Sequence, residues 1–68
     1  MADKLTAENA ISYVKAYFAS ASDCTIAIGN VALRVRDGVA FYYVECFCNG
    51  IPCHWDVWLE GGKLYGEF

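Results

Sequence analysis

Positive charge is scarce in this sequence. Five Lys and Arg residues stand against eight Asp and Glu, giving a net charge of −3, and the basic residues form no cluster. The attraction that supplies most non-specific nucleic-acid affinity is therefore missing, and direct binding to DNA or RNA is not expected. Long apolar runs are also lacking: none approaches the ~20 residues a bilayer span needs, so no membrane partner is expected. Met1-Ala2-Asp3-Lys4 opens polar, without the charged-then-apolar pattern of a signal peptide, and the chain reads as cytoplasmic. No repeat, linker or low-complexity stretch interrupts residues 1–68, which read as a single domain.

Apolar residues, by contrast, make up 57% of the chain and aromatics 16%, a composition that excludes disorder. A chain of this size buries only roughly 60% of the surface its unfolded form exposes. Much of the apolar material must therefore be hidden inside the fold or against a partner.

Thr6 is a good N-cap, Leu5 is placed to staple against Ala10, and Ala7, Ala10, Ile11, Val14, Phe18 and Ala21 recur at three- and four-residue spacing. This predicts one helix from about Thr6 to Ser20, broken by the stretch from Ser20 to Asp23. Asn9 stands where a capping box wants Glu or Gln, so the cap is incomplete. Asp37-Gly38, Asn49-Gly50 and Gly61-Gly62 are then three two-residue hairpin signals that divide the remainder into four strands.

A two-residue turn fixes the register of its hairpin. Pairing across the three turns sets Val35, Ala40, Leu59 and Leu64 in one row, Leu33, Tyr42, Val57 and Gly66 in the next, and Val31, Val44, Trp55 and Phe68 in the third, all on one face. That face is the expected core, covered by the helix stripe. Ile26 and Ile28 are out of phase with Val31, Leu33 and Val35, and a β-bulge at Gly29-Asn30 returns both sets to the core face. It also turns Cys24 toward the end of the sheet where Cys46, Cys48 and Cys53 point inward. The expected fold is α+β: one N-terminal helix on one face of a four-stranded antiparallel meander. This order of elements resembles the cystatin-like architecture, a likeness of architecture that transfers no function.

The four cysteines, Cys24, Cys46, Cys48 and Cys53, admit three readings: reduced core thiols, a zinc site, or a disulfide joining Cys46 to Cys53 or including Cys24. Cys46-x-Cys48 with Cys53-His54 has the composition of a zinc knuckle, but His54 alternates to the opposite face, so zinc would need all four cysteines, at a spacing that matches no common pattern. Reduced, metal-free thiols without a cofactor are the expectation. The same alternation removes the only histidine from thiol reach, and the flat sheet offers no cleft for acid–base work, so no catalytic residues and no enzyme are expected.

The face away from the helix carries Arg34, Phe41, Trp58 and Tyr65 in one row, Ala32, Tyr43, Asp56 and Glu67 in the next, then Glu45 with His54, and Phe47 with Pro52. Contiguous aromatics on a small protein mark an interaction surface, whereas scattered ones need no partner. Asp56 and Glu67 fall opposite each other, a like-charge pair with no Lys or Arg in its row, which a partner's cation would relieve. Arg34, Phe41, Tyr43, Glu45, His54, Asp56, Trp58, Tyr65 and Glu67 are therefore the candidate interaction residues. The expected role is a non-enzymatic protein-binding module, a small acidic inhibitor of phage or immunity type that docks on a basic surface of a nucleic-acid-handling protein. Two alternatives stand beside it: a homodimer that stacks the same faces, and a small zinc module built on the cysteines.

Overall fold

The computed structural model describes residues 3–19 and 23–67. The expectations attached to Met1 and Ala2, to Ser20 and Ala21 at the helix end, and to Phe68 as a core residue fall outside the described residues. Helix α1 spans Ala7–Ala19 and is followed by strands β1 (Ile26–Arg36), β2 (Val39–Cys48), β3 (Ile51–Glu60) and β4 (Lys63–Glu67). The strands form one antiparallel sheet in the order β1-β2-β3-β4, the α+β meander expected from the turns.

Local chemistry explains the element ends. Thr6 caps α1, its Oγ1 accepting the Asn9 N–H at 3.0 Å. Asn9 does not close a capping box; its side-chain amide donates instead to the Lys4 carbonyl at 2.9 Å and anchors the incoming chain. Asp37 and Asn49 both have φ of 53°, followed by Gly38 at 78° and Gly50 at 81°, the left-handed pair of a twist-matched hairpin turn. Asn49 also bridges two segments. Its side chain accepts from the Thr25 N–H and donates to the Asp23 carbonyl, both at 2.8 Å, which ties the helix–strand connection to the β2–β3 turn.

The bulge is where the parity change required it. Ile28 pairs with Cys46 and Val31 with Val44, so Gly29 and Asn30 together oppose Glu45. Asn30 donates its side-chain amide to Glu45 Oε2 at 3.4 Å across that irregularity.

The core consists of Ala10 and Val14 from α1 with Val44, Cys46, Trp55 and Val57 from the sheet. Trp55 is its centre, with the rings of Tyr13, Tyr17 and Phe18 edge-on at centroid distances of 6.4, 4.7 and 6.0 Å. Tyr13, outside the expected stripe, reaches the sheet because β4 has no side chain at Gly66. A Cβ there would lie inside van der Waals contact of Tyr13 Cε1 and 3.1 Å from Trp55 Cε3.

Part of the expected core is not covered. Leu33 is 58% exposed and Val35 69%, and Ala40 is exposed beside them. The reason is length. A helix of 13 residues is ~20 Å long, whereas strands of ten or eleven residues run ~33–37 Å. The chain enters α1 at the β3–β4 turn, where the Asp3 N–H donates to the Gly62 carbonyl at 2.8 Å and the Leu64 N–H donates to Asp3 Oδ2 at 3.0 Å. From there α1 crosses to Trp55 and β1, leaving the corner of β1 and β2 beside the Asp37-Gly38 turn bare.

Gly66→Ala is expected to destabilise the fold by about 1–3 kcal/mol, the usual cost of forcing a methyl group into a packed contact. Urea unfolding measures it. An unchanged midpoint would mean that α1 does not pack on β4 as closely as described.

Candidate functional site

Two groups of side chains hold chemistry, and they lie on opposite faces of the sheet. On the helix side, Cys24 and Cys48 are joined as a disulfide, with Cα atoms 5.9 Å apart. This corrects the expectation of four reduced thiols. The pairing follows from the bulge, which turns Cys24 inward, and from the Asn49 contacts, which hold the connection at residues 23–25 against the end of β2. Closing a loop of this length contributes roughly 2–4 kcal/mol to stability in the chain-entropy account.

Cys46 and Cys53 remain thiols and are direct partners across β2 and β3. Burial, reinforced by a hydrogen bond and charge interaction with Cys53, pushes the Cys46 thiol up to about 12. A thiol this reluctant to ionise is a poor nucleophile and a poor metal ligand at neutral pH. Two of the four proposed zinc ligands are spent in the disulfide, and His54 stacks on Tyr43 on the opposite face, with centroids 5.4 Å apart. Among the described residues no group of three or more His, Cys, Asp or Glu converges on a metal position.

On the open face the register is as expected: Phe41 pairs with Trp58 and Trp58 with Tyr65, Tyr43 with Asp56 and Asp56 with Glu67, Glu45 with His54. Trp58 and Tyr65 stack at 6.1 Å. The arginines depart from the row picture. Arg34 lies over the Tyr43 ring at 4.2 Å, and Arg36 lies over the Phe41 ring at 5.0 Å. Arg36 then reaches Asp56, with Nη1 4.0 Å from Oδ2.

Two expectations are corrected by this. Phe41 is only 7% exposed, so it anchors the open face from beneath and is not available as contact surface. Asp56 has a cation of its own chain, supplied diagonally by a strand two places away, so it does not require one from outside. The accessible aromatics are Phe47 and Tyr65, with Trp58 and Tyr43 half-buried between them. Beside Phe47 a shallow concavity of about 300 Å³ is lined by Tyr43, Glu45, Phe47, Pro52 and His54, with Cys46 and Cys53 at its floor. Phe47 and Arg36 join the candidate residues that the sequence pattern supplied. Their rows are legible in the sequence, but the reach of an arginine across a twisted sheet is not.

No protein family, curated protein or solved structure is significantly similar to this chain. The functional reading therefore rests on the geometry of this molecule. No helix among the described residues is long and apolar enough to cross a membrane.

Two outcomes test the site. Under native conditions at pH 8, iodoacetamide is expected to modify Cys53 at most, leaving Cys46 and the bonded pair unlabelled by intact mass. Because the unfolded chain ionises Cys46 near 9 while the folded chain holds the proton to about 12, its contribution to stability is full below pH 9 and is lost as pH rises toward 12; urea melts across that range read the loss. Separately, Arg36→Gln is expected to cost up to about 1 kcal/mol, the ceiling for a solvent-exposed ion pair. Glu67→Gln in the same chain should recover part of it by removing the like-charge neighbour of Asp56, and a double-mutant cycle without coupling would contradict the account.

Proposed function

We propose that the protein is a non-enzymatic binding module that docks the open face of its sheet on another protein. In its specific form it is a small acidic inhibitor, of phage or immunity type, set on a basic surface of a nucleic-acid-handling partner. The observation that carries this reading is the group of aromatic side chains on the side of the sheet that α1 leaves bare. Phe47 and Tyr65 are exposed, and Tyr43 and Trp58 lie between them. Aromatic surface of this kind, rimmed by polar groups, favours protein partners, because rigid rings bury large area at small entropy cost.

The sign of the partner follows from charge. The chain carries −3, and on this face Glu45 stands away from the Arg36–Asp56 contact while Glu67 lies directly opposite Asp56. A lysine or arginine entering the concavity meets the Glu45 carboxylate and the rings of Tyr43 and Phe47. Face-to-face stacking of two copies is less well supported, since it would press the Arg34 and Arg36 guanidinium groups into a symmetric interface. The zinc reading is likewise weakened, with two of its four thiols already bonded.

Affinity capture from the source cells with wild-type protein, Phe47→Ala and Tyr65→Ala tests the reading, with Lys15→Ala on the exposed side of α1 as control. A basic nucleic-acid-handling partner should be retained by wild type and control and weakened by at least about 30-fold in each open-face variant, the loss expected for a hot-spot aromatic worth ~2 kcal/mol. Equal retention by all four proteins would refute docking through this face.

A further inference from the structure

We propose that a second copy of this chain pairs with the free edge of β1, antiparallel and two-fold symmetric about Leu33, to give one continuous eight-stranded sheet. The proposal concerns the sheet edge, not the open face, and does not depend on the reading above.

The two edges of the sheet differ. On β4 the outward Leu64 N–H is taken by the Asp3 carboxylate, and Gly66 lies under Tyr13. The chain's own N-terminal segment thus occupies part of that edge. β1 is eleven residues long, contains no proline, and among the described residues has no strand on its outer side. The Asp37-Gly38 turn makes Arg36 and Val39 a hydrogen-bonded pair, as it does Arg34 with Phe41 and Ala32 with Tyr43. Leu33 and Val35 therefore direct their N–H and C=O groups to the unpaired edge. Their side chains are the exposed apolar residues that α1 fails to cover.

The occupant follows from self-complementarity. With Leu33 opposite Leu33 of the second copy, Val35 meets Val31, and the helix-side row is apolar throughout. On the other side Arg34 meets Ala32 and Arg36 meets Asn30, so no like charges are directly opposed. Both arginines already lean over β2 rings, away from the edge. Asn30 is hydrogen-bonded to Glu45, and Arg36 is held on Phe41 and Asp56 of its own chain, so this pair of positions brings no unpartnered charge to the seam. On the β1–β2 side of the open face the basic residues lie near the Asp37-Gly38 turn and Glu45 toward the opposite end, and antiparallel pairing sets each basic end against the other copy's acidic one. An interface this small sits at the weak end of specific association.

Sedimentation and amide hydrogen exchange of the full chain test the pairing. Between about 10 μM and about 1 mM the protein should pass from monomer to dimer, and exchange at Leu33 and Val35 should slow by at least about tenfold, while Arg34, already bonded to β2, changes little. Mixed isotope labelling should show an intermolecular contact between the Hα atoms of Ala32 and Arg34. Leu33→Pro removes an outward N–H that β2 does not use, so it should keep the monomer fold by circular dichroism and abolish the dimer. A monomer at about 1 mM with freely exchanging Leu33 and Val35 amides overturns the proposal. So does a dimer that survives Leu33→Pro, or one that shields Phe47 and Tyr65 and leaves the edge free. Protection that arises only on adding a synthetic peptide of alternating valine and glutamate would assign the edge to a foreign strand instead.

Discussion

The extra residue in β1 sets the geometry on which the rest of the molecule depends. Gly29 and Asn30 oppose the single residue Glu45, and this two-against-one count lets Ile26 and Ile28 share a face with Val31. Without it, one set of β-branched side chains would face water, since a one-residue slip inverts every side chain of a strand. The bulge also carries the start of β1 to the end of β2, where Cys24 meets Cys48 and where Asn49 fastens residues 23–25. Beyond Val31 the strand is regular, which is why its outer edge presents an uninterrupted row of backbone groups.

The meander is legible in the sequence because its turns are chemically explicit. Asp37-Gly38 and Asn49-Gly50 favour left-handed backbone at both positions, and such turns leave no freedom of register. The composition of the resulting rows is enough to separate the two faces. What is not legible concerns reach. A row assignment treats side chains as standing upright, whereas Arg36 lies across the twisted sheet to Asp56 and seals Phe41 beneath it. Helix coverage escapes the pattern for a related reason: the stripe of Ala10, Val14 and Phe18 defines which side α1 faces, but only its length against the strands decides where its cover ends. The disulfide needs both the bulge and the path of the connection, and spacing alone holds neither.

The two faces of the sheet divide the chemistry between them. The helix side gathers the apolar groups and all four cysteines, where burial keeps Cys46 protonated. The open side holds its charges against rings, so Arg34 and Arg36 keep their guanidinium groups hydrated on one side while covering aromatic carbon on the other. The like-charge pair Asp56 and Glu67 survives in direct register because a cation from a non-adjacent strand leans into it.

The Asp3 contacts carry a kinetic consequence. Every strand of the sheet pairs with its neighbour in sequence, so each hairpin can close over a short loop at small entropic cost. The bond from Leu64 to Asp3 spans 61 residues and rewards nothing until the meander exists. The segment at Asp3 therefore gains its partners only once the β3–β4 turn is in place, and those bonds take the outward Leu64 N–H that would otherwise stand bare at the β4 edge.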